Sequence, residues 1–305
     1  MYTEFEKKRA DYGTDWRLPE VPATGYSEEL INNAKEFSDT ALVVISRWGG
    51  EANDLPTDMT KVNYTNNSKE YADFEEGQHY LELSKTESDM LDLVCGNFDK
   101  VVLVYNGMST FELGFVEKYP QIQSVLWCAG PGQTGFDALG TILNGTTNPS
   151  AKTSDTFLYD LKNTPTWNNF GAFSYDNMDE YKIDESDPYV GGSVPTFVNY
   201  VEGIYVGYRF YETAAEEGVI DYEKTVKYPF GYGLSYTSFS QNIESSKMEN
   251  GKIELEIKVT NTGDVAGKDV VEVYYNPPYT NGGIEKSTTC LLYTSDAADD
   301  RISVD

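Results

Sequence analysis

The sequence is poor in residue classes on which many binding and catalytic sites depend. Its 305 residues include one histidine and three cysteines, and 50 acidic residues outnumber 23 basic ones, for a formal net charge of −27. Such a negative surface repels phosphate groups, so we expect neither nucleic acid nor an anionic membrane as a partner. No apolar run approaches the roughly 18 residues of a membrane span. No signal peptide is recognisable, which leaves export open and slightly favours the cytoplasm.

The cysteines and the histidine show none of the spacings that mark a metal or thiol site. Cys95, Cys128 and Cys290 form no C-x-x-C pair, and the first two lie in apolar runs, as buried free thiols do. A Ser-His-Asp hydrolase would have to use His79, but no G-x-S-x-G turn accompanies it. His79 lies in the acidic stretch "DFEEGQHYLEL", which favours a solvated loop. We therefore predict no metal and no cofactor.

The first half of the chain has the pattern of a layered α/β domain. Three apolar runs without polar alternation are typical of parallel strands that are covered on both faces: 41–46, 100–106 and 124–129. Helical patterns lie between and after them, in "TESDMLDLVCG", "TFELGFVEKYP" and "GFDALGTILNG". In the first of these, Thr86 is the candidate N-cap and Gly96 the stop.

The second half of the chain differs from the first in composition and in its pattern of apolar residues. The stretch from 145 to about 200 is rich in turn-forming residues and predicts long loops. From 252, apolar and charged residues alternate, an Asn-Thr-Gly turn follows, and a second β run comes after the turn. This pattern predicts the start of an all-β sandwich that the chain does not complete. The last residues, from about 290, fit nothing before them and are interpreted as a non-native tail, with a genuine acidic tail as the alternative.

A glycine-rich turn raises the question of nucleotide binding. Gly130, Gly132 and Gly135 have the G-x-G-x-x-G spacing after an apolar run and before a helical pattern. A dinucleotide fold would place this turn after its first strand and an acid at the end of the next strand. Asp155 has the right separation, but no apolar strand precedes it, and the turn follows two earlier strands. We favour a structural role, in which glycines allow a tight entry into the helix.

The stretch "VVISRWGGEANDLP" is the better candidate for a site. It places Arg47, Trp48 and Glu51 just beyond a buried strand, where open α/β sheets present their ligand-binding loops. Trp48 offers a stacking face for a sugar, and a carboxyl group on a loop can transfer a proton. The alternative is that Glu51 is one of many surface acids.

Three longer motifs carry a resemblance to a known family. They are "AGPGQTGFDALGTILNGTTNPSAKTSDTF" at 129–157, "YVEGIYVGYRFYE" at 200–212 and "YPFGYGLSYTSF" at 228–239. Over roughly residues 38–288 the chain resembles the second half of glycoside hydrolase family 3, of the β-glucosidase type. The resemblance implies a mainly parallel α/β sandwich over 1–237 and the start of a fibronectin-III-like domain over 238–289, followed by the tail at 290–305.

The resemblance also assigns roles to residues. In the family motif S-R-x-x-G-E-G-x-D, the general acid/base matches Glu51 and the final Asp matches Asp54. Arg47 and Trp48 are further candidates for contact with the substrate, while Asp54 could equally support the loop. The chain departs from the motif at Ala52, where glycine is usual, which puts the sugar contacts of the loop in doubt. Leu55 departs in the same way, since arginine is common there.

The implied enzyme is a retaining glycosidase that acts on a β-glucoside or another small β-glycoside. Its nucleophile would lie in a TIM barrel of the same polypeptide. The α/β sandwich and the β-sandwich already take up these 305 residues, so we expect no room here for the eight βα units of a barrel. "GTDW" echoes the nucleophile motif, but no barrel strand precedes Asp15, so we reject it as the nucleophile. The alternative function is a non-catalytic carbohydrate-binding or scaffold module with the same fold.

Overall fold

The computed structural model describes residues 20–49, 54–62, 72–169, 171, 173–276 and 290–291. The chain divides into two compact units, Met1–Pro149 and Ser150–Asp305. No helix in the described ranges is long and apolar enough to cross a membrane.

The first unit is built on a parallel sheet, as its apolar runs predict. The strands are β1 (Thr40–Arg47), β2 (Lys100–Gly107) and β3 (Ile122–Trp127), hydrogen-bonded in the order β1-β2-β3. All neighbours are parallel, and Leu103 of β2 lies opposite Val43 on one side and Val125 on the other. The core follows the central strand, where Leu103, Val104 and Tyr105 have no exposed surface. The predicted α/β architecture is confirmed.

The expectation that every strand is covered on both faces holds for β2 but is wrong for β1. Along β1 the side chains alternate: Val43 and Ile45 are buried, whereas Leu42 and Val44 are about half exposed, at 49% and 46%. Successive side chains of a strand point to opposite faces, so one face of this edge strand is open in the part of the chain that the structure describes.

The described residues of this unit contain three α-helices: α1 (Glu28–Phe37), α2 (Lys85–Cys95) and α3 (Phe136–Leu143). The N-cap of α2 is Ser84, whose hydroxyl accepts from the backbone N–H of Glu87 while the Glu87 carboxylate accepts from the N–H of Ser84. The prediction of Thr86 as N-cap is wrong, because this capping box begins the helix two residues earlier. The C-cap is Gly96, as expected.

The pattern "TFELGFVEKYP" forms a 3₁₀ turn over Leu113–Lys118 instead of the predicted α-helix. Gly114 lowers helix propensity and Pro120 ends the segment. Phe111 and Leu113 are buried all the same, so the apolar spacing reflects burial more than helix period.

The second unit begins with long connections, as predicted. Strand β4 (Phe157–Leu158) pairs antiparallel with β5 (Val226–Tyr228). The described segment between 159 and 207 contains short 3₁₀ turns and an isolated antiparallel bridge between Phe173 and Phe197. Two helices precede β5, namely α4 (Tyr208–Glu216) and α5 (Tyr222–Thr225).

The β-rich part is an antiparallel hairpin of β6 (Phe239–Glu249) and β7 (Lys252–Asn261). Asn250 and Gly251 link the strands with positive φ angles of 52° and 77°, the backbone that a tight hairpin turn favours. The alternating pattern of β7 is thus confirmed as a strand, although its partner precedes it in sequence. The run after it contributes only β8 (Tyr274–Tyr275), paired with β9 (Cys290–Leu291), and the rest of the predicted tail lies outside the described residues.

Candidate active site

The candidate site lies at the carboxyl end of β1. Arg47 is the last residue of the strand, and Trp48 and Gly49 follow it. The next described residue is Asp54. The predicted acid/base, Glu51, lies outside the described residues. The surroundings of this loop are therefore established from the contacts that its two ends make.

The guanidinium of Arg47 is buried, and each of its five N–H groups has an acceptor. Nε donates to the backbone oxygen of Tyr80 at 2.6 Å. Nη1 donates to the backbone oxygen of Ser46 at 3.0 Å and to Glu87 Oε1 at 2.5 Å. Nη2 donates to the backbone oxygen of Glu82 at 2.7 Å and to Glu87 Oε2 at 2.6 Å. A hydrogen bond from Arg47 to a sugar hydroxyl would displace one of these acceptors, and its predicted binding role stays a prediction.

Aromatic rings complete the environment of this cation. The Cζ atom of Arg47 lies 4.7 Å from the ring centroid of Phe111 and 5.3 Å from that of Tyr80, within the range of cation–π attraction. Burial alone would lower the pKa of Arg47, but the charge and hydrogen bonds of Glu87 outweigh that effect and hold the pKa above its usual value. The guanidinium of Arg47 therefore stays protonated, and the carboxylate of Glu87 balances its charge inside the protein.

Tyr80 holds both ends of the loop that carries Glu51. Its backbone oxygen accepts from Arg47, and its hydroxyl accepts from the N–H of Trp48 at 3.1 Å. On the far side of the loop, the N–H of Tyr80 donates to the backbone oxygen of Pro56 at 3.1 Å. Tyr80 therefore contacts the chain at both ends of the loop, at Arg47 and Trp48 before it and at Pro56 after it.

A small apolar cluster strengthens the returning end. Tyr80 packs with Met59 and Phe74, and Leu55, Val62 and Leu81 lie against them. The backbone N–H of Met59 donates to the oxygen of Gln78 at 2.8 Å, which adds a second link between the two segments. Leu55 stands where the family motif commonly has arginine, and here its side chain is part of this cluster.

Of the two other predicted contact residues, Trp48 is 48% exposed and Asp54 is exposed. Trp48 thus presents part of its ring to solvent at the end of the strand, as a stacking surface requires. The structure places both at the ends of the same loop, and their roles in binding stay predictions.

The burial of His79 differs from what the sequence predicts. It is 2% exposed, so the expectation of a solvated loop histidine is wrong. Its Nδ1 accepts from the N–H of Leu81 at 3.1 Å, which places the proton on Nε2. Nε2 in turn lies 2.9 Å from Glu112 Oε1 and 3.3 Å from Glu82 Oε1. The acidic residues around His79 in the sequence suggested exposure, whereas the structure buries His79 in a segment whose backbone oxygens at Tyr80 and Glu82 accept from Arg47.

These three side chains are also the group in the described ranges that could hold a metal ion. One ligand atom each from His79, Glu82 and Glu112 lie within 4.8 Å of one another. Imidazole nitrogen with carboxylate oxygen is a donor set that Zn²⁺ accepts. In the observed geometry, however, the Nε2 proton already occupies the position between the nitrogen and the carboxylates.

The glycine-rich turn has the structural role that we favoured. Gly132 has a φ of +63°, and a Cβ on Gly135 would lie 2.3 Å from the backbone oxygen of Pro131. The turn therefore needs its glycines for backbone conformation and for close approach at the start of α3.

Comparisons with known proteins agree on one family. The sequence profile described as "Glycosyl hydrolase family 3 C-terminal domain" matches residues 25–208. Beta-glucosidase A of Butyrivibrio fibrisolvens is 33% identical over 271 residues, which are 82% of this chain and 29% of the relative. A beta-glucosidase of Ruminococcus albus is 30% identical over 278 residues, 91% of this chain and 24% of the relative.

Solved structures give the same result. A beta-glucosidase from Paenibacillus barengoltzii superposes with a TM-score of 0.70 at 27% identity, over 95% of this chain and 28% of that one. Beta-glucosidase 3B from Thermotoga neapolitana, in complex with alpha-D-glucose, gives 0.69 at 28% identity, over 95% and 35%. The chain thus spans about a quarter to a third of the length of these proteins.

Proposed function

The chain belongs to glycoside hydrolase family 3, and we propose that it is the part of a retaining β-glucosidase that supplies the general acid/base, Glu51. The substrates would be glycosides with a β-D-glucosyl residue at the non-reducing end. The observation that carries the proposal is the loop itself: a carboxyl residue at the carboxyl end of a parallel strand, with Tyr80 holding both ends of its loop.

In the proposed reaction, an aspartate from a TIM barrel of the complete polypeptide attacks the anomeric carbon. The bond from that carbon to the leaving oxygen breaks as Glu51 gives this oxygen its proton, and a covalent glycosyl-enzyme forms. In the second step the Glu51 carboxylate takes a proton from water, the water oxygen attacks the anomeric carbon, and the aspartate leaves. Glu51 is then protonated again, and the anomeric configuration is retained.

The residues beside Glu51 would bind the sugar. Trp48 would stack on an apolar face of the substrate with its exposed ring surface, and Asp54 would accept hydrogen bonds from hydroxyl groups or support the returning chain. Arg47 was also predicted to contact the sugar, but all five of its N–H groups already have acceptors within the protein, which supports a different role for it. The proposed chemistry calls for no cofactor.

The experiment is to recover the surrounding coding sequence from the source DNA and to assay the complete protein. Aryl β-glucoside and aryl β-xyloside would be compared for wild type, Glu51→Gln and Glu76→Gln, an exposed acid as the control. We expect a large loss of kcat in Glu51→Gln alone, partly restored by azide, which needs no general base to attack the glycosyl-enzyme. The 305-residue chain by itself should give no turnover, because the proposed mechanism assigns the nucleophile to a separate barrel domain.

Equal activity of Glu51→Gln and wild type would overturn the acid/base assignment. Binding of glucose without turnover in the complete protein would instead favour the second candidate, a carbohydrate-binding or scaffold module. Turnover by the 305 residues alone, lost in Glu51→Gln, would refute the expected need for a separate nucleophile domain.

A further inference from the structure

We infer that Arg47, Tyr80 and Glu87 form a clamp, called here the loop clamp, which positions the carboxyl group of Glu51 for proton transfer. The inference rests on the proposed function of Glu51. It assigns Tyr80 and Glu87, which no sequence motif singled out, to the proposed reaction as positioning residues. It also gives Arg47 a positioning role in place of a direct contact with the sugar.

The need for a clamp follows from the loop sequence. Two of the three residues between Arg47 and Glu51 are Gly49 and Gly50, and glycine gives a chain more backbone freedom than any other residue. A proton donor that is displaced by about 1 Å can lose about 100-fold in rate. Fixed ends reduce the freedom of such a loop, and both described ends of this loop are held by hydrogen bonds to Tyr80. Four residues of extended chain reach at most about 14 Å, so the position of Arg47 sets an outer limit on the distance between Glu51 and the end of β1.

The clamp links three parts of the fold. The guanidinium of Arg47 joins the end of β1 to the segment before α2 through the backbone oxygens of Tyr80 and Glu82. The carboxylate of Glu87, in the first turn of α2, accepts hydrogen bonds from two N–H groups of Arg47. The hydroxyl of Tyr80 fixes the next residue, Trp48, through its backbone N–H.

Neither charge of the clamp is directed at a ligand. The Arg47 and Glu87 side chains are 6% and 10% exposed and neutralise each other, so their effect on Glu51 is transmitted through geometry. The same carboxylate of Glu87 also accepts from the backbone N–H of Ser84, so Arg47 is linked to the first turn of α2. A rigid helix is a better support for a catalytic loop than another loop.

The test uses the complete protein with two clamp variants, Tyr80→Phe and Glu87→Gln. Tyr80→Phe keeps the ring and the backbone links to Arg47 and Pro56 and removes only the hydroxyl that accepts from Trp48. Ser84→Ala is the matched control, because it removes the other half of the capping box and leaves the carboxylate that Arg47 binds. All three are assayed on an aryl β-glucoside with a poor leaving group and on dinitrophenyl β-glucoside, with and without azide.

We expect each clamp variant to lose about tenfold or more in kcat on the poor leaving group, with KM changed less than twofold. Azide should raise kcat of the clamp variants on dinitrophenyl β-glucoside and leave wild type and Ser84→Ala unchanged. Azide attacks the glycosyl-enzyme without a general base, so it can restore turnover when the general base is displaced. It cannot restore activity that is lost because the protein no longer folds.

The failure of this inference is distinguishable from failure of the proposed function. If Glu51→Gln is rescued by azide but Tyr80→Phe and Glu87→Gln keep the kcat of wild type, the clamp is overturned and the acid/base assignment stands. A loss in Glu87→Gln that is equal in Ser84→Ala and insensitive to azide also overturns the clamp. Full activity of Glu51→Gln overturns the proposed function and the clamp with it.

Discussion

Arg47 and Glu87 lie 40 residues apart in the sequence, and their buried side chains pair through two N–H···O contacts of 2.5 and 2.6 Å. Both partners also bind the backbone, at Tyr80 and Glu82 for the arginine and at Ser84 for the glutamate. Removal of either partner leaves a buried charge without its counter-ion. Such a pair differs from exposed ion pairs, which contribute little to stability.

The first prediction concerns the stability that this pair provides. Glu87→Ala should lower the free energy of unfolding by about 3–5 kcal/mol, because it leaves the Arg47 guanidinium buried and unpaired. The control is Lys85→Ala in the same helix, which breaks the more exposed Lys85–Asp89 pair and should cost less than about 1 kcal/mol. Urea titrations of the 305-residue chain measure both. Equal losses would show that the buried pair has no special weight.

A second prediction uses two glycines around α3. Gly132→Ala should destabilise the chain by about 1–2 kcal/mol, because its φ of +63° is unfavourable for any residue with a Cβ. Gly140→Ala should stabilise it by about 0.5–1 kcal/mol, since Gly140 is inside the helix and a Cβ there meets nothing within 4 Å. Thermal unfolding of the two variants should shift in opposite directions, and shifts of the same sign would contradict the structural account of this turn.

A third prediction is a pH dependence at Asp58, which begins the 3₁₀ turn at Met59–Lys61. Its carboxylate accepts from the hydroxyl and N–H of Thr60 and pairs with Lys61, and these contacts hold its pKa well below the ordinary value of 3.8. A pKa that is lower in the folded state adds stability above about pH 4 and loses it as the pH falls. Asp58→Asn should therefore be less stable than wild type at pH 7, with the difference shrinking below pH 4.

The matched variant for that titration is Asp99→Asn, which removes an exposed carboxylate next to β2 and corrects for the change in net charge. If Asp58→Asn and Asp99→Asn follow the same curve between pH 7 and pH 3, the contacts of Asp58 do not contribute to the acid sensitivity of the fold.

A fourth prediction concerns the cluster of His79, Glu82 and Glu112. Because His79 accepts from the Leu81 N–H and its Nε2 proton faces both carboxylates, we expect it to hold this segment without a metal. EDTA should leave the melting temperature of the chain unchanged, and added Zn²⁺ should not raise it. His79→Ala should cost about 1–3 kcal/mol, because it leaves buried groups unpaired. A melting temperature that falls with EDTA and recovers with Zn²⁺ would identify a metal centre instead.

The sequence predicted the elements whose signal is local. The apolar runs of β1, β2 and β3 and the alternation in β7 are such signals, and the structure has a strand at each of them. The interpretation failed where long-range contacts decide. His79 has acidic neighbours in sequence, yet it is 2% exposed, and Arg47 donates to the backbone oxygens of Tyr80 and Glu82 in the same segment. Ser84 and Glu87 spell a capping box, but nothing local indicates that the same carboxylate binds an arginine 40 residues earlier. Glu51 and its motif came from family resemblance, and its role stays a prediction.

The last prediction tests Trp48 as a sugar platform in the complete protein. Trp48 is 48% exposed at the end of β1, and its backbone N–H, which donates to the hydroxyl of Tyr80, is present whatever the side chain is. Trp48→Ala should therefore leave the loop in place and raise KM for an aryl β-glucoside about 2- to 12-fold, the equivalent of about 0.5–1.5 kcal/mol of aromatic contact. Trp48→Phe keeps an aromatic face and should lie between the two. A KM that is unchanged in Trp48→Ala would contradict a role in stacking, and a fall in kcat alone would place Trp48 with the residues that position Glu51.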